Sequence, residues 1–213
     1  MATQVEYALL AANCYAIEDA VTSSAIDVAI PGGWGVIRNG QNDASRFAAR
    51  AYLNDRTGEI VIAYAGTTFE GNTLDQTKDW RGGNILAGRL RTLVPQVTNS
   101  AEFYLDVLAE TTYSSDKITF TGHSLGGALA SLMSVYFDRP ATVFDGAPFE
   151  KSADSAIFVN ALKLALATDG YRLPEAFTNY IAVDQSTGAF IPSPSRLARQ
   201  DNITAVCIKS EVD

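Results

Sequence analysis

Histidine is almost absent. The 213-residue chain holds one, His123. Any chemistry that needs an imidazole has a single candidate within the chain. Cysteine is scarce as well. Cys14 and Cys207 lie far apart in sequence. They permit either one disulfide or two inert buried thiols, and the thiols are the expectation. Neither has a Cys or His neighbour at metal-ligand spacing, so no metal site is expected. Positive charge is in deficit. Sixteen Lys and Arg stand against 24 Asp and Glu, a formal net charge of −8. That balance excludes nucleic acid, or an anionic membrane surface, as an electrostatically driven partner. It leaves room for transient contact with a membrane or micelle through an apolar patch. No apolar run approaches the roughly 20 residues of a membrane span. The N terminus has no basic segment and carries Glu6 early, so no Sec signal peptide is read there. The expectation is a soluble chain, cytoplasmic or exported by a route without an N-terminal signal. No repeat, low-complexity tract or linker interrupts residues 1–213. A single domain of this length buries about 70% of its unfolded surface.

What is present centres on Gly122-His123-Ser124-Leu125-Gly126. Lys117-Ile118-Thr119-Phe120-Thr121 precedes it and reads as a buried strand. Leu125 to Phe137 follows, Ala- and Leu-rich without proline, and reads as a helix. Strand, G-x-S-x-G and helix together form the context of a nucleophile elbow. Gly122 and Gly126 leave space where a Cβ would clash, so the turn can hold Ser124 strained and exposed. The helix behind it directs its positive end at an oxyanion formed there. The alternative is a Gly-rich strand-to-helix turn with an incidental serine. The correct flanks and the small Gly127-Ala128 pair favour the elbow.

The remaining chain alternates strands and helices. Residues 4–17 read as a helix, and Pro31 to Gly35 as a turn with Trp34 as a core plug. Phe47 to Leu53 and Glu59 to Tyr64 read as a hairpin. Ile60-Val61-Ile62-Ala63-Tyr64 is almost continuously apolar, the pattern of a central strand covered on both faces. Ala65-Gly66-Thr67-Thr68 ends it. An oxyanion hole takes one N–H from the residue after the nucleophile and one from the loop after an earlier strand. Thr67 lies where the second is needed, and its hydroxyl offers a third donor. A plain β-to-α turn is the alternative. Residues 69–95 are Gly-punctuated and read equally as a mobile lid or an ordered surface loop. Helices are expected over 98–112 and 154–168. Strands are expected over 141–145, 179–184 and 203–208, Asp184 closing the second of these. The fold class is α/β with a mostly parallel central sheet flanked by helices.

Four places in this pattern resemble the class 3, fungal-type lipases, a branch of the α/β-hydrolases, in a bacterial form. They are Ile60 to Thr67, Asp79-Trp80, Ile118 to Leu129, and Phe144 to Pro148. The likeness spans roughly residues 45–190. It implies an α/β-hydrolase-like fold and a serine hydrolase of carboxylic esters, acting on lipids or small esters without a cofactor. By position it makes Ser124 the nucleophile and the N–H groups of Thr67 and Leu125 the oxyanion hole. It makes Asp184 the triad acid, with Asp145 as the rival. The likeness fails at one point. The triad of this fold runs Ser, Asp or Glu, His along the chain, and no histidine follows Ser124. His123 adjoins the serine, where hydrogen-bond reach to its hydroxyl is poor; it is expected to pack on the sheet or bond a neighbouring loop. The leading expectation is a base supplied from beyond Asp213 or from a second chain. The others are a catalytically dead binding module and an enzyme with an unorthodox base. Thioesterase or acyl-transfer chemistry shares the same machinery.

Overall fold

The computed structural model describes residues 1–16, 28–42, 44–66, 90–183 and 191–207, with backbone alone at 90–94. Six strands form one sheet in chain order: β1 Trp34–Asn42, β2 Phe47–Asn54, β3 Ile60–Tyr64, β4 Ile118–His123, β5 Ala141–Phe144 and β6 Ile203–Val206. The ladders β1·β2 and β2·β3 are antiparallel, and β3·β4, β4·β5 and β5·β6 are parallel. The helices are α1 Gln4–Asn13, α2 Leu90–Glu110, α3 Leu125–Phe137, α4 Glu150–Asp154, α5 Ala156–Thr168, α6 Glu175–Thr178 and α7 Pro194–Arg199. This is the expected α/β arrangement. Three consecutive parallel ladders place the carboxyl ends of β3 to β6 along one edge.

The side-chain period of two explains how β3 is covered. Ile60, Ile62 and Tyr64 enter a core shared with α2, α3 and α5. Val61, Ala63 and Ala65 enter a second core beneath α1, with Tyr7, Leu10 and Trp34. Every residue of β3 is buried, which accounts for its unbroken apolar run. Trp34 is a core residue, as expected, and its Nε1 donates to Glu6 Oε1 at 3.0 Å. Thr3 and Glu6 form a reciprocal capping box that fixes where α1 begins. All 13 residues of α3 are buried, so this helix is apolar on every side and enclosed.

The structure departs from the sequence reading in five places. β1 is an additional edge strand. Its polar residues Arg38, Asn39, Gln41 and Asn42 hid it. Arg38 pairs with Asp106 at 2.6 Å and with Glu110 on α2, tying strand to helix. Helix α2 begins at Leu90, well before residue 98, and carries Pro95 within it. The end of the proposed 69–95 lid is therefore helical, and residues 69–89 lie outside the described residues. Residues 179–183 do not form a sheet strand. A short helix occupies 175–178, and only Val183 pairs, in a single parallel bridge with Ser155. The place beside β5 belongs to β6. Finally, neither cysteine forms a disulfide, and Cys14 is buried as expected whereas Cys207 is exposed.

A buried ion pair holds the 179–183 segment instead. Asp154 is fully buried; its Oδ1 accepts from Arg196 Nε at 2.7 Å and from Ser193 N at 2.8 Å. Its carbonyl accepts from Val183 N at 2.9 Å, and the Val183 carbonyl accepts from Ala156 N at 3.1 Å. Ser195 Oγ takes the Ile181 N–H at 2.8 Å. Such local polar contacts satisfy the backbone without a ladder.

The two cores bury several phenols. Burial pushes the Tyr7 and Tyr180 hydroxyls up to about 12 from the ordinary 10.0. Tyr64 and Tyr136 are raised well above it for the same reason. In the unfolded chain these phenols lose protons near 10, while the folded chain keeps them. The unfolded state then binds fewer protons, so stability falls as pH rises. Urea unfolding midpoints should hold steady below pH 10 and drop between 10 and about 12. Midpoints that stay level up to pH 12 would refute this.

Candidate active site

The elbow has the conformation its sequence predicts. Ser124 sits at φ 55° and ψ −120°, a region costly for any residue with a Cβ. Three backbone bonds hold it there. Ser124 N donates to Phe144 O at 3.1 Å, and the Ser124 carbonyl accepts from Ala147 N at 3.0 Å and Ala128 N at 3.2 Å. The end of β5 thus grips the turn from one side and the first turn of α3 from the other. The Ser124 side chain does not cap α3. It is half-buried at the head of the helix, where unpaired N–H groups and the helix dipole favour negative charge. Leu125 is the first residue of α3 and is buried.

Two glycines make this approach possible. A Cβ on Gly126 would lie 2.0 Å from the Tyr64 carbonyl oxygen. One on Gly122 would lie 2.3 Å from the Gly126 carbonyl oxygen. Both obstacles are backbone and cannot rotate away. Helix α3 therefore enters between the ends of β3 and β4 at a separation only glycine allows.

The other predicted site residues fare differently. Thr67 lies outside the described residues, which reach Gly66, buried at the end of β3. Asp184 also lies outside them, one position beyond Val183. Asp145 is described. It is exposed at the end of β5 with φ 43°, and its N–H donates to Val206 O at 3.0 Å. His123 is exposed and faces the N-terminal segment, its Nδ1 lying 3.5 Å from Tyr15 Oη. It makes no hydrogen bond to the Ser124 hydroxyl. Among the described residues the elbow therefore has no imidazole partner. Sequence reading missed Tyr15, which counted only as an apolar position of the first helix. Its hydroxyl stands at the site edge, 2.9 Å from Gly66 N and 3.3 Å from His123 O. Among the described residues no group of three or more His, Cys, Asp or Glu is arranged to hold a metal ion. No described helix is long and apolar enough to cross a membrane.

A mostly parallel sheet with a strained serine between strand and helix defines an α/β-hydrolase-like protein. The chain matches the model of the Tle-like phospholipase domain over residues 6–163 and belongs to that family. Solved structures similar to it include fungal lipases. Lipase II from Rhizopus niveus is 16% identical, with 76% of this chain and 66% of that chain covered and a TM-score of 0.37. The Rhizomucor miehei triacylglyceride lipase is 18% identical, with 76% and 66% covered and a TM-score of 0.44. Lip2 lipase from Yarrowia lipolytica is 16% identical, with 80% and 64% covered and a TM-score of 0.43. The chain spans just under two thirds of the length of these lipases.

The backbone obstacles at Gly126 give a direct test. Gly126→Ala should cost about 3 kcal/mol of stability, the upper end of overpacking penalties. Gly32→Ala, where nothing lies within 4 Å of the new methyl, should stay within about 0.5 kcal/mol. Urea unfolding of the two variants reads the difference. Equal midpoints would mean that α3 can draw back from Tyr64.

Proposed function

We propose that this chain is the nucleophile-bearing part of a lipid-ester hydrolase, with phospholipids or related carboxylic esters as substrates. The observation that carries the reading is Ser124 at φ 55° and ψ −120° at the head of a buried helix. Membership of a phospholipase-like family supports the choice of lipid esters. Ser124 Oγ attacks the ester carbonyl carbon, and a histidine takes the hydroxyl proton. The oxyanion is held by the N–H groups of Leu125 and Thr67. Loss of one such donor costs about 10²- to 10³-fold. The tetrahedral adduct collapses, the C–O bond to the alcohol breaks, and the histidine returns the proton to the leaving oxygen. Water repeats the sequence on the acyl-enzyme and releases the acid.

The histidine comes from outside these 213 residues. His123 points to Tyr15 and leaves Ser124 without a base. The acid that orients the histidine belongs to the carboxyl edge of the sheet. Asp184 and Asp145 are the two carboxylates read from the sequence. The missing base also favours a second reading, a lipid-binding module that keeps the elbow as architecture.

A fluorophosphonate probe separates these readings, because it labels only an activated serine. The chain, supplied with its natural partner or C-terminal extension, should be labelled and should release fatty acid from phospholipid vesicles. Ser124→Ala should abolish labelling and lower the rate by about 10⁴- to 10⁶-fold. Of Asp145→Asn and Asp184→Asn, only the variant lacking the true acid should approach that loss. An unlabelled serine in the partnered protein would establish the binding-module reading.

A further inference from the structure

Helix α5 is apolar on two opposite faces, and only one of them is covered. Val159, Leu162 and Leu166 enter the larger core at helical spacing. The opposite face carries Ile157, Asn160, Ala161, Leu164, Ala167 and Thr168, all exposed. These six fall at i, i+3, i+4, i+7, i+10 and i+11, which is one stripe along the helix. Ile157 is 80% exposed and Leu164 69%. The Thr168 hydroxyl donates back to Leu164 O at 2.8 Å, which leaves Asn160 as the one outward polar side chain of the stripe. A helix apolar all round is ordinarily enclosed, as α3 is. Helix α5 is not.

The stripe is also uncharged. α5 contains no Asp, Glu or Arg, and its single lysine is turned aside. Lys163 Nζ donates to the carbonyls of Thr178 at 2.9 Å and Tyr180 at 3.0 Å, and lies 5.5 Å from the centre of the Phe177 ring. The segment held by Lys163 runs back along α5 to Val183, whose carbonyl accepts from Ala156 N at 3.1 Å. Ile181 lies on that segment and is itself well exposed, a third large apolar side chain beside the helix. Apolar side chains scattered singly on a surface need no account, but these are aligned.

Area and charge decide what covers them. A helix of this length is about 20 Å long and about 10 Å across, so the stripe offers roughly 200 Å². A second copy seated on the same stripe would bury roughly 400 Å² in total, far below the about 1,200 Å² at which stable interfaces begin. A lipid surface demands no such area, because a shallow apolar helix face is enough for reversible contact. A polyanionic surface repels a chain of net charge −8, and no basic residue on the stripe offsets that. An uncharged apolar stripe matches a zwitterionic bilayer.

We propose that the exposed face of α5 docks this chain on a zwitterionic phospholipid surface. The purpose of the contact rests on the lipid-ester reading above. Ile157, Leu164 and Ile181 enter the headgroup layer, and the small Ala161 and Ala167 let the helix axis lie close to it. Ala147, which donates to the Ser124 carbonyl, precedes Ile157 by ten positions, and part of that stretch is helical. Docking therefore keeps the elbow within roughly 30 Å of the lipid.

The 213-residue chain is sedimented with vesicles of ether-linked phosphatidylcholine, which contain no carboxylic ester and report binding alone. Wild type should bind, and the double variant Ile157→Gln with Leu164→Gln should bind about tenfold more weakly or worse. Asn160→Leu, which closes the gap in the stripe, should bind about threefold more tightly or better. Added phosphatidylserine should not strengthen any of these. Urea midpoints of the three proteins should agree, because every altered side chain is exposed. A wild type that ignores the vesicles, or a double variant that binds equally well, overturns the docking face. A preference for anionic vesicles overturns its chemistry. A wild-type dimer that the double substitution dissociates puts a second copy in the place of lipid and overturns the proposal. Fluorophosphonate labelling of Ser124 in the partnered protein should be the same for wild type and double variant. An unlabelled serine beside intact vesicle binding overturns the hydrolase reading and leaves the docking face standing.

Discussion

The contact between Gly126 and the Tyr64 carbonyl is the constraint on which the site depends. It brings the first turn of α3 against the end of β3, at a distance no other residue tolerates. With the helix so close, the chain must turn sharply after His123, and Ser124 takes up the strain. The surroundings over-determine that strain, as a persistent outlier requires. Tyr64 is itself held on both sides. Its ring packs between Phe47 and Phe120, and its hydroxyl donates to Ser100 O on α2 at 3.1 Å. The elbow thus inherits its geometry from the centre of the larger core.

Enclosure of α3 has a further effect. A helix buried along its whole length has no solvent side on which to shift or fray. The parallel strands β4 and β5 close around its N-terminal end through Ser124 and Ala147. Ser124 and the helix dipole are rigid parts of one framework.

Much of this was legible in the sequence because one local pattern dictated it. The apolar run of β3 announced two covered faces, and the glycines around Ser124 announced a close approach. Both statements concern short stretches in which sequence neighbours are also spatial neighbours. The misread segments depend on distant partners. Ile181-Ala182-Val183 looks like a strand, yet Ile181 is 61% exposed and the segment is held by Asp154, Ser193 and Ser195. Nothing local reveals that Asp154 is buried with Arg196, 42 positions away. β1 was hidden for the opposite reason. It is an edge strand whose polar side chains face solvent and α2, so it carries no apolar alternation. Tyr15 was misjudged because a phenol reads as apolar until its hydroxyl is placed.

The two thiols differ in a way that matters at the bench. Cys14 lies in the core with its Sγ 3.1 Å from Ala63 O, beyond reach of solution reagents. Cys207 is exposed and follows Val206, the residue level with Phe144 and, through it, with His123. The chain has no other cysteine. A maleimide dye therefore attaches at a single native position on the rim that carries the elbow, without any engineered residue. Its emission would register a lipid surface or a second chain settling over that rim, and would do so whether or not an ester is cleaved.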